Sequence, residues 1–188
     1  MNEFKHSILA LMKVALDFQK ISHIEYIPDS SLLIPYDELT LNPDYFKTES
    51  IFYVDDSRES TVVNDSCNSV IEAYTLLQNK PLVKVNSVEN YNNSYIKFSE
   101  FLKKIFKAHH IDCHIYYGEK EAPSFDFHKD SMHVLIGCLK GKKIIKFKKR
   151  KVLLNVNEWV YIPANTNHKA EYPEKSITIS FGIYNANT

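Results

Sequence analysis

Three side chains in this sequence could hold one divalent ion: His128, Asp130 and His168. His128 and Asp130 are two positions apart, so on extended backbone both leave the same face. His168 opens a later apolar stretch and would bring a third donor from across the fold. Two imidazole nitrogens and a carboxylate make a facial triad, which leaves positions open on the metal and suits non-haem Fe(II) oxygen chemistry. A His-x-Asp pair alone reads more readily as a structural hydrogen-bonded pair than as a metal site, so its surroundings must decide. His133 extends the motif to His-x-Asp-x-x-His, but its strand parity is opposite, and it is expected to face away.

Lys143 is a second chemical position. In the run 143–149, Lys143, Ile145 and Phe147 share one face, while Lys142, Lys146 and Lys148 take the other. A lysine among inward apolar residues is costly unless an anion pairs with it. The alternative is a strand-end lysine whose ammonium snorkels out of the barrel mouth. His109-His110-Ile111-Asp112-Cys113-His114 has ligand residue types, yet it straddles a helix end and a strand start. Histidines at a helix C-terminus are the ordinary account, and a zinc site there would need fixed geometry. His114 and Tyr116 share a strand face, and either could donate a hydrogen bond into the site. Thr178 and Ser180 alternate with Ile177, Ile179, Phe181 and Ile183, facing either the interior or water.

The elements that must position these groups begin near residue 112. Eight short strands are expected, at 113–117, 124–128, 132–138, 143–149, 151–155, 159–163, 167–172 and 176–184, with turn-like links such as Lys140-Gly141-Lys142 and Pro163 to Thr166. So many short strands in one run are the signature of a jelly roll. Upstream, helical stripes appear at 3–19, 68–78 and 94–108, with short strands at 24–27, 32–35, 51–54 and 81–85 and a loop at 39–50. Fold class is therefore mainly β (α+β), a double-stranded β-helix with N-terminal helices packed on one sheet. Residues 1–110 are expected to cover the barrel and 111–188 to form its core, as one structural domain.

Composition excludes several classes. Lys and Arg equal Asp and Glu at 23 each, so there is no basic excess for nucleic acid or a membrane surface. The three cysteines, Cys67, Cys113 and Cys138, have no paired spacing, which argues against a disulfide framework. With no secretory leader and no apolar run long enough to span a bilayer, a cytoplasmic protein is expected. Only 4 glycines in 188 residues mean that some turns must use Asn, Asp or Lys.

Asn157-x5-Pro163-x-Asn165-x2-His168 resembles the second cupin motif, with asparagine at both usual glycine positions. His128-Lys129-Asp130, followed by Leu139-Lys140-Gly141-Lys142-Lys143, resembles the JmjC-like branch of the cupins, the Fe(II)- and 2-oxoglutarate-dependent oxygenases. The resemblance covers roughly 110–184 of the sequence. It implies that His128, Asp130 and His168 hold Fe(II) and form the catalytic centre. It further implies that Lys143 takes the distal carboxylate of 2-oxoglutarate, with Tyr116 and Thr178 as further cosubstrate-binding residues. O2 is then the second cosubstrate, and hydroxylation of an unactivated C–H the expected outcome.

Only residues 131–167 separate Asp130 from His168, shorter than in the family's protein hydroxylases, and no helical dimerisation segment follows the barrel. The expected substrate is therefore a small molecule, an amino acid or a peptide; a homodimer is left open. Two alternatives stand beside the oxygenase: a metal-dependent cupin enzyme that does not use 2-oxoglutarate, and a non-catalytic cupin-fold binding module.

Overall fold

The computed structural model describes residues 20–24, 51–54, 60–62, 80–90 and 93–185. In chain order its elements are β1 (Ser22–Ile24), β2 (Ile51–Val54), β3 (Ser60–Val62), β4 (Leu82–Val85), α1 (Asn93–Phe106), β5 (His110–Gly118), β6 (His133–Lys140), β7 (Lys143–Phe147), β8 (Lys151–Leu154), β9 (Trp159–Ile162), β10 (His168–Glu171) and β11 (Ser176–Tyr184). The expected helices at 3–19 and 68–78, the strand at 32–35 and the loop at 39–50 lie outside the described residues.

Two antiparallel sheets face each other. The larger has the order β1-β9-β6-β11-β5-β4-β2-β3, and the smaller β10-β7-β8. Their pairing is that of a double-stranded β-helix, the cupin jelly roll, with β4, β2 and β3 added at one edge of the large sheet. Seven of the eight expected strands form. The exception is 124–128, where only His128 bridges to His168. The reason is local: the His128 ring bonds back to the Asp126 carbonyl at 2.8 Å, a closure that competes with a ladder. Strand β3 had no counterpart in the sequence reading.

Alternation along β5 and β11 separates a dry face from a polar one. Cys113 and Ile115 on β5, with Ile179, Phe181 and Ile183 on β11, form the outer face of the large sheet and are fully buried. Helix α1 lies on that face because Tyr95, Phe98, Leu102 and Phe106, at helical spacing, make one buried stripe. Phe98 meets Phe181 with ring centroids 5.2 Å apart, and Phe106 stacks on Tyr161 at 5.9 Å. Each such buried side chain contributes about 1.5–3 kcal/mol. The helix ends where Lys107 takes a left-handed φ of 51° and the Ala108 N–H bonds the Lys103 carbonyl.

The opposite face of the same strands is polar. Asp112, His114 and Tyr116 on β5 pair in register with Gly182, Ser180 and Thr178 on β11, and β4 adds Lys84 opposite Tyr116. Val134, Ile136 and Cys138 on β6 pack with Ile145 and Phe147 of the small sheet to close the far side. What remains between the sheets is a cavity of about 580 Å³.

Candidate metal centre

His128 and His168 meet through reciprocal backbone hydrogen bonds of 3.0 Å, each N–H donating to the other's carbonyl. That bridge joins the segment carrying His128 and Asp130 to the start of β10. Asp130 is held from the other side, where the Asn165 N–H donates to its carbonyl at 2.7 Å. Asn165 reaches that position with φ at 60°, and Asn157 turns the chain into β9 with φ at 68°. Both asparagines thus occupy left-handed backbone normally given to glycine, as the motif requires.

The three side chains converge, with donor atoms all within 4.8 Å of one another. The nearest Asp130 oxygens stand 3.4 Å from His168 Nε2 and 3.9 Å from His128 Nε2. Those separations are too long for hydrogen bonds. Donors bound cis to one octahedral ion at about 2.1 Å would stand about 3.0 Å apart, so small side-chain rotations close the set. His128 Nδ1 contacts the Asp126 carbonyl at 2.8 Å, and His168 Nδ1 the Thr166 carbonyl at 2.9 Å. A carbonyl only accepts, so each Nδ1 carries the proton and each Nε2 lone pair is free to face the site. Beside the cavity, this donor set would suit a divalent metal such as Fe(II).

Lys143 lies in the same cavity and does not snorkel. It is buried, and Nζ donates to Tyr172 Oη and Thr178 Oγ1, both at 3.0 Å. The Tyr116 and Tyr172 rings lie 4.7 and 4.5 Å from the ammonium. Among the described residues no carboxylate pairs with it. Burial pushes its pKa down to about 7, with Cys138 acting weakly the other way. Two hydroxyls and two aromatic rings surround this amine, and a buried lysine so placed keeps its charge at a cost unless an anion pairs with it. Gly118 allows this packing, because a Cβ there would stand 2.2 Å from the Tyr172 ring.

The remaining candidates separate cleanly. His133 faces the helix side, its Nδ1 2.7 Å from Tyr161 Oη, as parity predicts. His109 and His110 pack on the Tyr184 ring, away from His114. His114 and Ser180 line the cavity. Among the described residues, the triad is the one His, Cys, Asp or Glu cluster able to hold a metal. Sequence reasoning missed Tyr172, Asp112 and Lys84. Tyr172 was legible in principle, four residues after His168 and so on the same strand face. Asp112 accepts hydrogen bonds from the Gly182 N–H at 2.9 Å and the Tyr184 hydroxyl at 2.8 Å. Burial would raise its pKa, but His114 and these donors outweigh that and hold it at about 2.

No family model matches the chain, and no curated protein matches it in sequence. Solved structures do match in fold. YcfD from Escherichia coli, described as a ribosomal oxygenase, aligns with a TM-score of 0.64 at 15% identity, covering 91% of this chain and 49% of that one. Its complex with cobalt and 2-oxoglutarate gives 0.62 at 16% identity, with 91% and 50% covered. Its complex with cobalt and succinic acid gives 0.62 at 15% identity, with 91% and 49% covered. The chain spans about half the length of those proteins. No helix among the described residues is long and apolar enough to cross a membrane. The fold is therefore the cupin jelly roll, with His128, Asp130 and His168 converging and a buried lysine inside the barrel.

Proposed function

We propose that this chain is an Fe(II)- and 2-oxoglutarate-dependent oxygenase that hydroxylates an unactivated C–H of a small molecule, amino acid or peptide. The observation that carries the reading is Lys143. Its buried ammonium, bonded to Tyr172 and Thr178 and paired with no carboxylate among the described residues, lines the cavity that also holds the three donors. A short dicarboxylate answers both features, one end at the metal and the other at Lys143. The likeness in fold to a protein whose structures hold cobalt with 2-oxoglutarate or succinic acid supports the same reading.

Iron, when bound by His128, Asp130 and His168, would supply the chemistry that couples decarboxylation of 2-oxoglutarate to substrate oxidation by O2. The protein's own contributions follow from the geometry. The Asp126 and Thr166 carbonyls keep both imidazoles in the ligating tautomer. Lys143, Tyr172, Thr178 and Tyr116 bind and orient the cosubstrate's distal end. Ile136, Ile145 and Val134 form a dry wall that limits water in the cavity. Asp130 contributes the anionic donor that favours hydroxylation.

The test is succinate formation from 2-oxoglutarate by purified protein with and without Fe(II). The expected result is turnover that needs iron and disappears in His168→Ala. Metal binding without any 2-oxoglutarate turnover would instead favour a cupin enzyme of another kind. A protein that binds no divalent metal, and folds normally as His168→Ala, would be a non-catalytic binding module.

A further inference from the structure

On the wall of the same cavity a second lysine faces inward, and neither the triad nor the Lys143 receptor uses it. Lys84 stands on β4, paired in register with Tyr116, and its ammonium lies 5.8 Å from the Tyr116 ring. Lys143 lies 4.7 Å from the same ring. Among the described residues the Lys84 ammonium has no hydrogen bond and no ion pair. Asp112 and Asp130 are near enough to act on its charge but not to pair with it; Asp112 already accepts from Gly182 and Tyr184, with His114 Nε2 3.5 Å away. Gly182 permits that arrangement, since a Cβ there would meet Asp112 Oδ1 at 2.2 Å. Beside them His114 Nδ1 is buried with no hydrogen-bond partner among the described residues. Burial disfavours the charged form of Lys84, a cost that an incoming anion would offset.

Resting on the oxygenase reading above, we infer that Lys84 receives a carboxylate of the oxidised substrate, so that the substrate class is an acid, such as a free amino acid or a peptide C-terminus. The cavity is large enough for two occupants: at about 580 Å³ it falls among pockets that bury a drug-sized ligand, and 2-oxoglutarate is a short diacid that fills part of it. One anion at Lys143 leaves Lys84 unanswered, so the second cation calls for a second anion. His114 Nδ1 is an adjacent unfilled hydrogen-bonding position that gives or takes a proton according to its tautomer. Lys84 belongs to β4, one of the strands added to the sheet's edge, so the specificity group comes from the extension and not from the barrel that holds the metal.

The experiment uses the full chain with the twenty L-amino acids and the Ala-Xaa dipeptides, each as free acid and as C-terminal amide. Two readouts are taken: succinate formation with Fe(II) and 2-oxoglutarate, and the melting-temperature shift with Mn(II) in place of iron. The expected result is at least one acid that acts in both, with its amide needing about tenfold or more higher concentration. Lys84→Met should raise that acid's KM by about tenfold or more and erase the acid–amide difference. The KM for 2-oxoglutarate should move far less, and Lys84→Arg should recover most of the loss. Lys84→Gln gives a polar second variant if Lys84→Met folds poorly. Equal action of acid and amide, no active probe, a preference that survives Lys84→Met, or an equal rise in the 2-oxoglutarate KM would each overturn the inference. If no succinate forms but an acid-selective, Lys84-dependent melting shift appears, the carboxylate site stands and the oxygenase reading falls.

Discussion

The backbones of His128 and His168 are locked together by two 3.0 Å hydrogen bonds, and this single bridge sets their rings 4.5 Å apart. Backbone pairing therefore aligns these two candidate ligands. The barrel brings the edges of two segments into register, and the side chains follow.

Because the donors are preassembled and mutually unbonded, divalent metal should stabilise the folded state by mass action. A hundredfold excess over Kd is worth about 2.7 kcal/mol, roughly 5–10 °C for a chain of this length. Adding Mn(II) or Co(II) to chelator-treated protein should give that rise in Tm. His128→Ala, Asp130→Ala and His168→Ala should each remove most of it while leaving the far-ultraviolet circular dichroism intact.

Lys143→Met separates the cosubstrate role from a structural one. Removing the cation should weaken 2-oxoglutarate binding by about two to three orders of magnitude, with Mn(II) affinity nearly unchanged. The ligand-free variant should melt no lower than the wild type at neutral pH, because an apolar side chain of similar volume replaces a buried, uncompensated charge. A large loss of ligand-free stability would mean that Lys143 serves the core.

The pH dependence follows from the same lysine. Its folded pKa is about 7 against 10.5 in the open chain. Across that window the unfolded chain binds the proton and the folded one does not, so wild-type stability should rise with pH relative to Lys143→Met. Binding of 2-oxoglutarate has the opposite slope, since it needs the charged form: affinity should fall above about pH 7, by at most tenfold per unit. Cys138, pushed up by burial to about 11, and Tyr116 and Tyr172, pushed up as well, stay protonated through most of the window. Calorimetry in buffers of different ionisation enthalpy reads the proton uptake directly.

Asn165 tests the turn that aims Asp130. With φ at 60°, Asn165→Ala should cost about 1 kcal/mol or more, whereas Asn165→Gly should be neutral within a few tenths. The alanine variant should also weaken metal binding, because the Asn165 N–H fixes the Asp130 carbonyl. Urea unfolding and metal titration of the two variants check both effects.

Much of this site was legible from spacing. The inward parity of Lys143 follows from the alternation of Ile145 and Phe147, and the outward parity of His133 from its odd offset to His128. A chain with 4 glycines had to spend other residues at left-handed positions, and Asn157, Asn165 and Lys107 are three of them. Ser87 and Glu121 also take positive φ, and no rule of turn chemistry singles them out. Lys84 was not legible, because β4 is apolar on both faces, with Leu82, Val83 and Val85 all buried, and periodicity assigns no direction. Asp112 was hidden by its histidine-rich neighbourhood, whose members turn out to divide between surface and cavity. The absent ladder at 124–128 reflects a ring-to-backbone bond that no propensity encodes.

The most direct measurement is anomalous diffraction from crystals grown with Mn(II) and 2-oxoglutarate. The expected map has a metal peak within coordination distance of His128 Nε2, Asp130 and His168 Nε2, and a dicarboxylate running from that peak to Lys143 Nζ. A metal peak elsewhere, or a dicarboxylate that leaves Lys143 unpaired, would contradict it.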